Sequence, residues 1–460
     1  MAYRVRAAGY RFLLHRFGTE KSRLFGDSFK KILLVLLITA LIIGAALGVW
    51  LGLPEGFFER EAATPEPTVT PEPTPSPAAS ATPEPTATPE VEPATAAQWA
   101  EKYLSYMSTE EKLGQMMIFG FSGSSDMTEA YQQIVANYYV GNYMLYGANI
   151  ESSYSDGGFL QCKKLTANVT ARLNTDIPPL IGIDVEGGSV VRFRWNPQPV
   201  SARSLGRRRD ADYASEQFET IATKLRSVGI NLDLAPVLDV SEDPMDTFLE
   251  TRIISEDATI TAAIGGAIID GLHAGGCLSC AKHFPGHGGT IEDSHVTTPE
   301  IDKTREELEN YDLLPYHTAI ESGVDAVMVA HILYPALDEA DIASMSEPVI
   351  TGLLREEMGF EGIVISDDFR MEGLTNRYDI ADAAVQFILA GGDLILCGIN
   401  SDEQIVIMDA LLAAAQDGRL TQERIDESVE RILLAKISLG EWDIEASLAA
   451  RIEANASSAG

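Results

Sequence analysis

Eight apolar runs of strand length, separated by stretches of helical periodicity, constrain this chain more than any other feature. They fall at 116–121 (MMIFGF), 140–147 (VGNYMLYG), 180–185 (LIGIDV), 230–236 (INLDLAP), 278–284 (LSCAKHF), 326–331 (AVMVAH), 362–368 (GIVISDD) and 393–397 (DLILC). Helical patterns such as 212–228 and 306–321 lie between them, and QERIDESVERILLAKISLG closes the series. A strand that is apolar on both sides has to be covered on both faces, which is the condition of a parallel sheet wrapped by helices. Eight such units predict an α/β fold, a single (β/α)8 TIM-like barrel over residues 98–442. An open doubly wound sheet is the alternative, but no GxGxxG or P-loop pattern supports a nucleotide site.

Most of these runs end in an ionisable residue or a glycine-rich turn: Asp184 and Glu186, Lys282 and His283, His331, Asp367 and Asp368. In a barrel of this kind the carboxyl ends of the strands form the active-site face. The candidate chemistry is therefore gathered at one end of the fold.

The first 97 residues are of a different composition. Residues 32–53 (ILLVLLITALIIGAALGVWLGL) are 22 positions without a charge, enough at 1.5 Å per residue to cover the roughly 30 Å core of a bilayer. Residues 1–31 carry eight Lys or Arg against two acids, a local +6 that leaves −40 for the rest of a chain whose net charge is −34. Basic residues ahead of the apolar run predict a single-pass transmembrane helix with a cytoplasmic tail at 1–31 and an extracellular catalytic domain. A cleavable signal peptide competes, but its apolar region is ordinarily 7 to 15 residues.

Ten of the 22 prolines fall between Pro65 and Pro93. Residues 54–97 are accordingly expected to be a disordered, extended Pro/Thr/Glu-rich stalk, and 443–460 a short tail. So acidic an exterior excludes nucleic acid as a partner, because a phosphate backbone is bound through clustered Lys and Arg.

The densest chemistry is at 282–295, KHFPGHGGTIEDSH, which holds three of the seven histidines. The spacing of His283, His287 and His295 leaves zinc open, although Cys277 and Cys280 make only half of a structural site. All four cysteines read as buried small hydrophobes. Asp293 and His295 are two residues apart, so a carboxylate can orient and charge an imidazole for acid/base work, or Asp293 can merely cap a turn while His295 packs. At 366–368 two carboxylates end a buried strand, and alternation along it sends Asp367 and Asp368 to opposite faces. Gly187 and Gly188 fit either a close backbone approach at a pocket wall or a tight turn. His331 and Met371 each fit the pocket or the core.

The segments DVEGGSVVR (184–192), KHFPGHG with its downstream DSH (282–295) and SDDFRMEG (366–373) resemble, in order and separation, glycoside hydrolase family three. They are most similar to its bacterial β-N-acetylhexosaminidase branch, over roughly residues 100–440. The resemblance implies that Asp367 is the nucleophile, His295 the general acid/base and Asp293 its assistant. It implies sugar binding by Asp184, Arg192, Lys282 and His283, with Arg252 as the match for a further arginine that in the family sits in a different local context. No cofactor and no metal are expected, and the chain is expected to be a monomer acting on an oligosaccharide with a terminal N-acetylglucosamine. The activity expected on this basis is exo-acting, retaining hydrolysis of β-linked N-acetylglucosamine from cell-wall or chitin-type oligosaccharides. The alternatives are a phosphorylase that passes the sugar to phosphate, another β-glycosidase of the family, and an anchored wall-binding scaffold without activity.

Overall fold

The computed structural model describes residues 95–151 and 156–458. Among these residues eight parallel strands form one sheet: β1 (Met117–Gly120), β2 (Asn142–Met144), β3 (Ile181–Ile183), β6 (Leu232–Asp233), β7 (Leu278–Phe284), β8 (Ala326–Val329), β9 (Ile363–Ser366) and β10 (Ile395–Cys397). Each lies inside one of the eight apolar runs. Neighbours in the sheet follow chain order, and β10 returns to pair with β1 through Met117↔Ile395 and Phe119↔Cys397. The ring closes between β9 and β10, where Ser366 N donates to Leu394 O at 3.0 Å and Phe369 N to Leu396 O at 3.0 Å.

The helices start where the sequence supplies caps. Ser108 and Glu111 make a reciprocal capping box for Thr109–Gln115, and Asn400 accepts from the amides of Asp402 and Glu403 to open Ser401–Asp417. That last helix stops at Gly418, whose φ of +83° suits a left-handed terminus. Ile444–Ser458 forms a final helix held to the barrel by Arg451, which donates to Glu111 at 2.8 Å and to Asp176 at 2.7 Å.

Asp393, at the start of the last apolar run, ties the closing strands together. Its buried carboxylate accepts from Val364 N at 2.8 Å, Ser428 Oγ at 2.7 Å and Arg431 at 3.1 Å, and it also receives Arg355. An isolated buried carboxylate would be costly, so several donors have to converge on it.

One expectation needs correcting. The anchor at 32–53 lies outside the described residues, and no helix among the described residues is long and apolar enough to cross a membrane. The longest of them, such as Ala258–Ala274, have 17 residues, about 25 Å at 1.5 Å per residue and short of a bilayer core of roughly 30 Å. That helix buries its apolar residues against the barrel instead. The expected transmembrane helix, membrane partner and extracellular single-pass location are therefore corrected, since none of the described helices supports them. Residues 54–94 of the expected stalk also lie outside the described residues, whereas Thr95 caps a helix at Ala96–Leu104, so the last residues assigned to the stalk belong to that helix.

Candidate active site

Five of the eight strands deliver ionisable groups to a cavity of about 330 Å³ at their carboxyl ends, directly or through the loops that follow. After β3 the chain turns back as a hairpin, β4 (Val185–Gly187) paired with β5 (Val190–Val191). Its turn requires Gly187 and Gly188, at φ +92° and +60°. A Cβ on Gly187 would sit 2.0 Å from Val200 O. Both glycines are thus turn residues. The hairpin brings Arg192 back beside Asp184, with Arg192 N donating to Asp184 O at 3.0 Å, while the side-chain pair is loose at 3.9 Å.

Asp184 and Glu186 are two residues apart and face the same charged neighbours. Lys282 Nζ donates to Asp184 Oδ1 at 2.8 Å and lies 2.7 Å from Glu186 Oε1, and Arg252 clasps Glu186 with Nε at 2.8 Å and Nη2 at 3.0 Å. Burial opposes the Glu186 charge, but Lys282 and Arg252 outweigh it and bring the carboxyl down to about 2. Burial likewise opposes the Lys282 ammonium, and Asp184 with Glu186 holds it charged. Glu186 is named in the sequence only as a strand-end acid. The two-residue spacing from Asp184, which places both on one side of an extended segment, is the signal for it.

Lys282 and His283 are consecutive, yet both line the cavity. The β7–β8 register shifts between Lys282 and Phe284, and such a bulge re-aims a side chain that alternation would send the other way. His283 Nδ1 is 2.7 Å from Asp239 Oδ2, and its Nε2 is 3.3 Å from Arg252 Nη2.

The loop after β7 presents the Asp-His pair. His295 Nδ1 is 2.7 Å from Asp293 Oδ1, which also accepts His295 N at 2.9 Å. Below them His287 reaches Ser294 Oγ at 2.8 Å, and Phe248 packs edge-on to His287 with centroids 4.6 Å apart. Burial lowers His287 to about 4. The three histidines whose spacing left zinc open thus have three different partners, and no group of His, Cys, Asp or Glu among the described residues is placed to hold a metal ion.

Both Asp367 and Asp368 line the cavity. This differs from the alternation argument, because β9 ends at Ser366 and the following turn no longer alternates. Asp367 Oδ1 accepts Asp368 N at 2.8 Å. Burial opposes its charge, but His283, His331, that amide and His295 together lower its pKa. Asp368 accepts from Gly398 N at 3.0 Å and Arg370 N at 3.1 Å, and burial raises its pKa. The segments that carry Asp367 and the Asp293–His295 pair are joined, since Gly373 N donates to Ser294 O at 2.9 Å and Thr298 Oγ1 to Gly373 O at 2.8 Å.

His331 is an interior histidine, bonded to Ser344 Oγ at 2.8 Å and to Asp368 O at 3.3 Å. Met371 lines the cavity while only 4% exposed. The four cysteines are free and buried. Besides Glu186, sequence reasoning missed Asp239 and Phe248, which lie on a stretch with no motif.

A barrel whose strand ends carry paired carboxylates, cations held by acids and a carboxylate-backed imidazole has the groups of an acid/base enzyme. Residues 108–435 match the glycosyl hydrolase family 3 N terminal domain, and the chain belongs to that family of glycoside hydrolases. Among curated proteins it is 32% identical over 341 residues to the beta-hexosaminidase LpqI of Mycobacterium tuberculosis, covering 72% of this chain and 83% of that one. It is 28% identical over 371 residues to the beta-hexosaminidase A of Pseudoalteromonas piscicida, where it spans 72% of this chain and only 62% of the relative's length. A solved family 3 β-N-acetylglucosaminidase from Paenibacillus superposes with a TM-score of 0.68 at 35% identity, over 73% of this chain and 63% of that one.

Proposed function

We propose that the chain is an exo-acting, retaining β-N-acetylhexosaminidase that releases terminal β-linked N-acetylglucosamine from cell-wall or chitin-type oligosaccharides. The observation that carries this reading is that Asp367 and the Asp293-backed His295 open onto one small cavity. Its volume, about 330 Å³, is at the small end of the range for small-molecule sites and suits one terminal sugar. The relatives named as hexosaminidases and the β-N-acetylglucosaminidase neighbour support the substrate class.

In the proposed mechanism Asp367 attacks the anomeric carbon. Its Oδ1 is occupied by the Asp368 amide, which leaves Oδ2 to form the bond. His295 carries its inner proton on Nδ1 against Asp293, so Nε2 gives a proton to the leaving oxygen. Water then cleaves the glycosyl-enzyme with His295 Nε2 as base, and configuration is retained. Asp184, Lys282, His283, Arg192 and Arg252 hold the sugar hydroxyls. His295→Ala tests this reading. Hydrolysis of an N-acetylglucosaminide with a poor leaving group should fall on the order of 10²-fold or more, and one with a good leaving group much less. Equal turnover of the poor substrate by wild type and variant contradicts the assignment.

A further inference from the structure

Asp239 follows β6, is 1% exposed and does not line the cavity. It nevertheless receives three hydrogen bonds from the motif that does. Its Oδ1 accepts His287 N at 2.6 Å and His283 N at 3.2 Å, and its Oδ2 is 2.7 Å from His283 Nδ1. Two backbone amides therefore fix the carboxylate plane, and the remaining oxygen is aimed at one imidazole nitrogen. Across the ring, His283 Nε2 faces Arg252 Nη2 at 3.3 Å. A guanidinium only donates, so the contact is favourable when Nε2 offers a lone pair, which is the tautomer with hydrogen on Nδ1. Both neighbours select the same tautomer.

We infer that Asp239 is a positioning residue, which holds His283 in its Nδ1–H tautomer and fixed in plane, so that Nε2 stays an acceptor, taken by Arg252 in the free protein and offered to a sugar hydroxyl when the ligand binds. The inference rests on the reading of His283 as a sugar-binding residue. Asp239 itself touches no substrate.

Asp239→Asn keeps the size of the group and removes the acceptor. The two backbone amides retain the asparagine carbonyl oxygen, so the NH2 group is turned to His283 Nδ1, where donor meets donor. The imidazole then has to move its hydrogen to Nε2, which points a donor at Arg252. An unfavourable tautomer of this kind is expected to lower kcat/KM roughly 10²- to 10³-fold.

Three readouts on the full chain test this. In 15N-histidine-labelled wild type, long-range 15N–1H correlation, with His283→Gln for assignment, should show His283 protonated at Nδ1. Asp239→Asn should lower kcat/KM for an aryl N-acetylglucosaminide by the stated factor. The same change made in His283→Ala should cost less than about threefold more, because the effect passes through the imidazole. A wild-type His283 protonated at Nε2 alone overturns the inference even if Asp239→Asn does not fold, and so does full additivity of the two changes. Absence of glycosidase activity in the wild type counts against the proposed function instead, and leaves the tautomer measurement to decide on Asp239.

Discussion

His295 Nδ1 stands 2.7 Å from Asp293 Oδ1 on a loop where the imidazole is 61% exposed, so the group assigned to proton transfer is backed by a carboxylate yet open to solvent on its other side. Burial opposes the Asp293 charge, but the amide and ring of His295 outweigh it and lower the pKa. Asp293→Asn is expected to slow N-acetylglucosaminides with poor leaving groups by about 10²-fold while sparing good ones, since only the former need a proton. Initial rates over a series of aryl leaving groups check it, through a steeper dependence of rate on leaving-group pKa.

Glu186 is 2% exposed at its side chain and lies between Lys282 and Arg252. Glu186→Gln leaves two buried cations short of one anion, a change that costs about 3 to 5 kcal/mol when a buried pair is broken. Denaturant unfolding should record a loss in that range. Its folded value of about 2 is below the ordinary carboxyl value, so the charge-dependent part of its contribution is present above about pH 4.5. It fades as pH falls toward 2.

A second acid sensitivity comes from His287, held neutral by burial with a folded value of about 4. The unfolded chain takes up this proton near pH 6.5 and the folded one does not. Stability is therefore complete above pH 6.5 and lost as pH falls to 4, by about 3 kcal/mol. Thermal melts of wild type and His287→Gln across this window should converge at low pH, with the variant showing the flatter curve.

Asp393 is the anchor for barrel closure, receiving Val364 N, Ser428 and the guanidinium groups of Arg355 and Arg431. Asp393→Ala strands these cations and is expected to cost about 3 to 5 kcal/mol. Urea titration should show a lower midpoint, with kcat of the remaining folded enzyme nearly unchanged because Asp393 does not line the cavity.

The barrel was legible because each strand is buried on both faces and so is written as an unbroken apolar run; all eight observed strands sit inside those runs. The dyad was legible because Asp293 and His295 are near neighbours and make their bond locally. Asp239 was not, since its partners His283 and His287 lie more than 40 residues away and only the β6–β7 pairing brings them together. Alternation wrongly separated Asp367 from Asp368 because the strand ends at Ser366, one residue before the pair.

The proposed glycosyl transfer depends most on Asp367. Release of aryl alcohol from an aryl N-acetyl-β-glucosaminide by wild type, beside Asp367→Ala and beside the matching aryl glucoside, tests it directly. Wild type should turn over the N-acetylglucosaminide in preference to the glucoside, and Asp367→Ala should lose roughly 10³-fold or more in kcat. Activity in Asp367→Ala equal to wild type, or no wild-type activity above the variant, contradicts it.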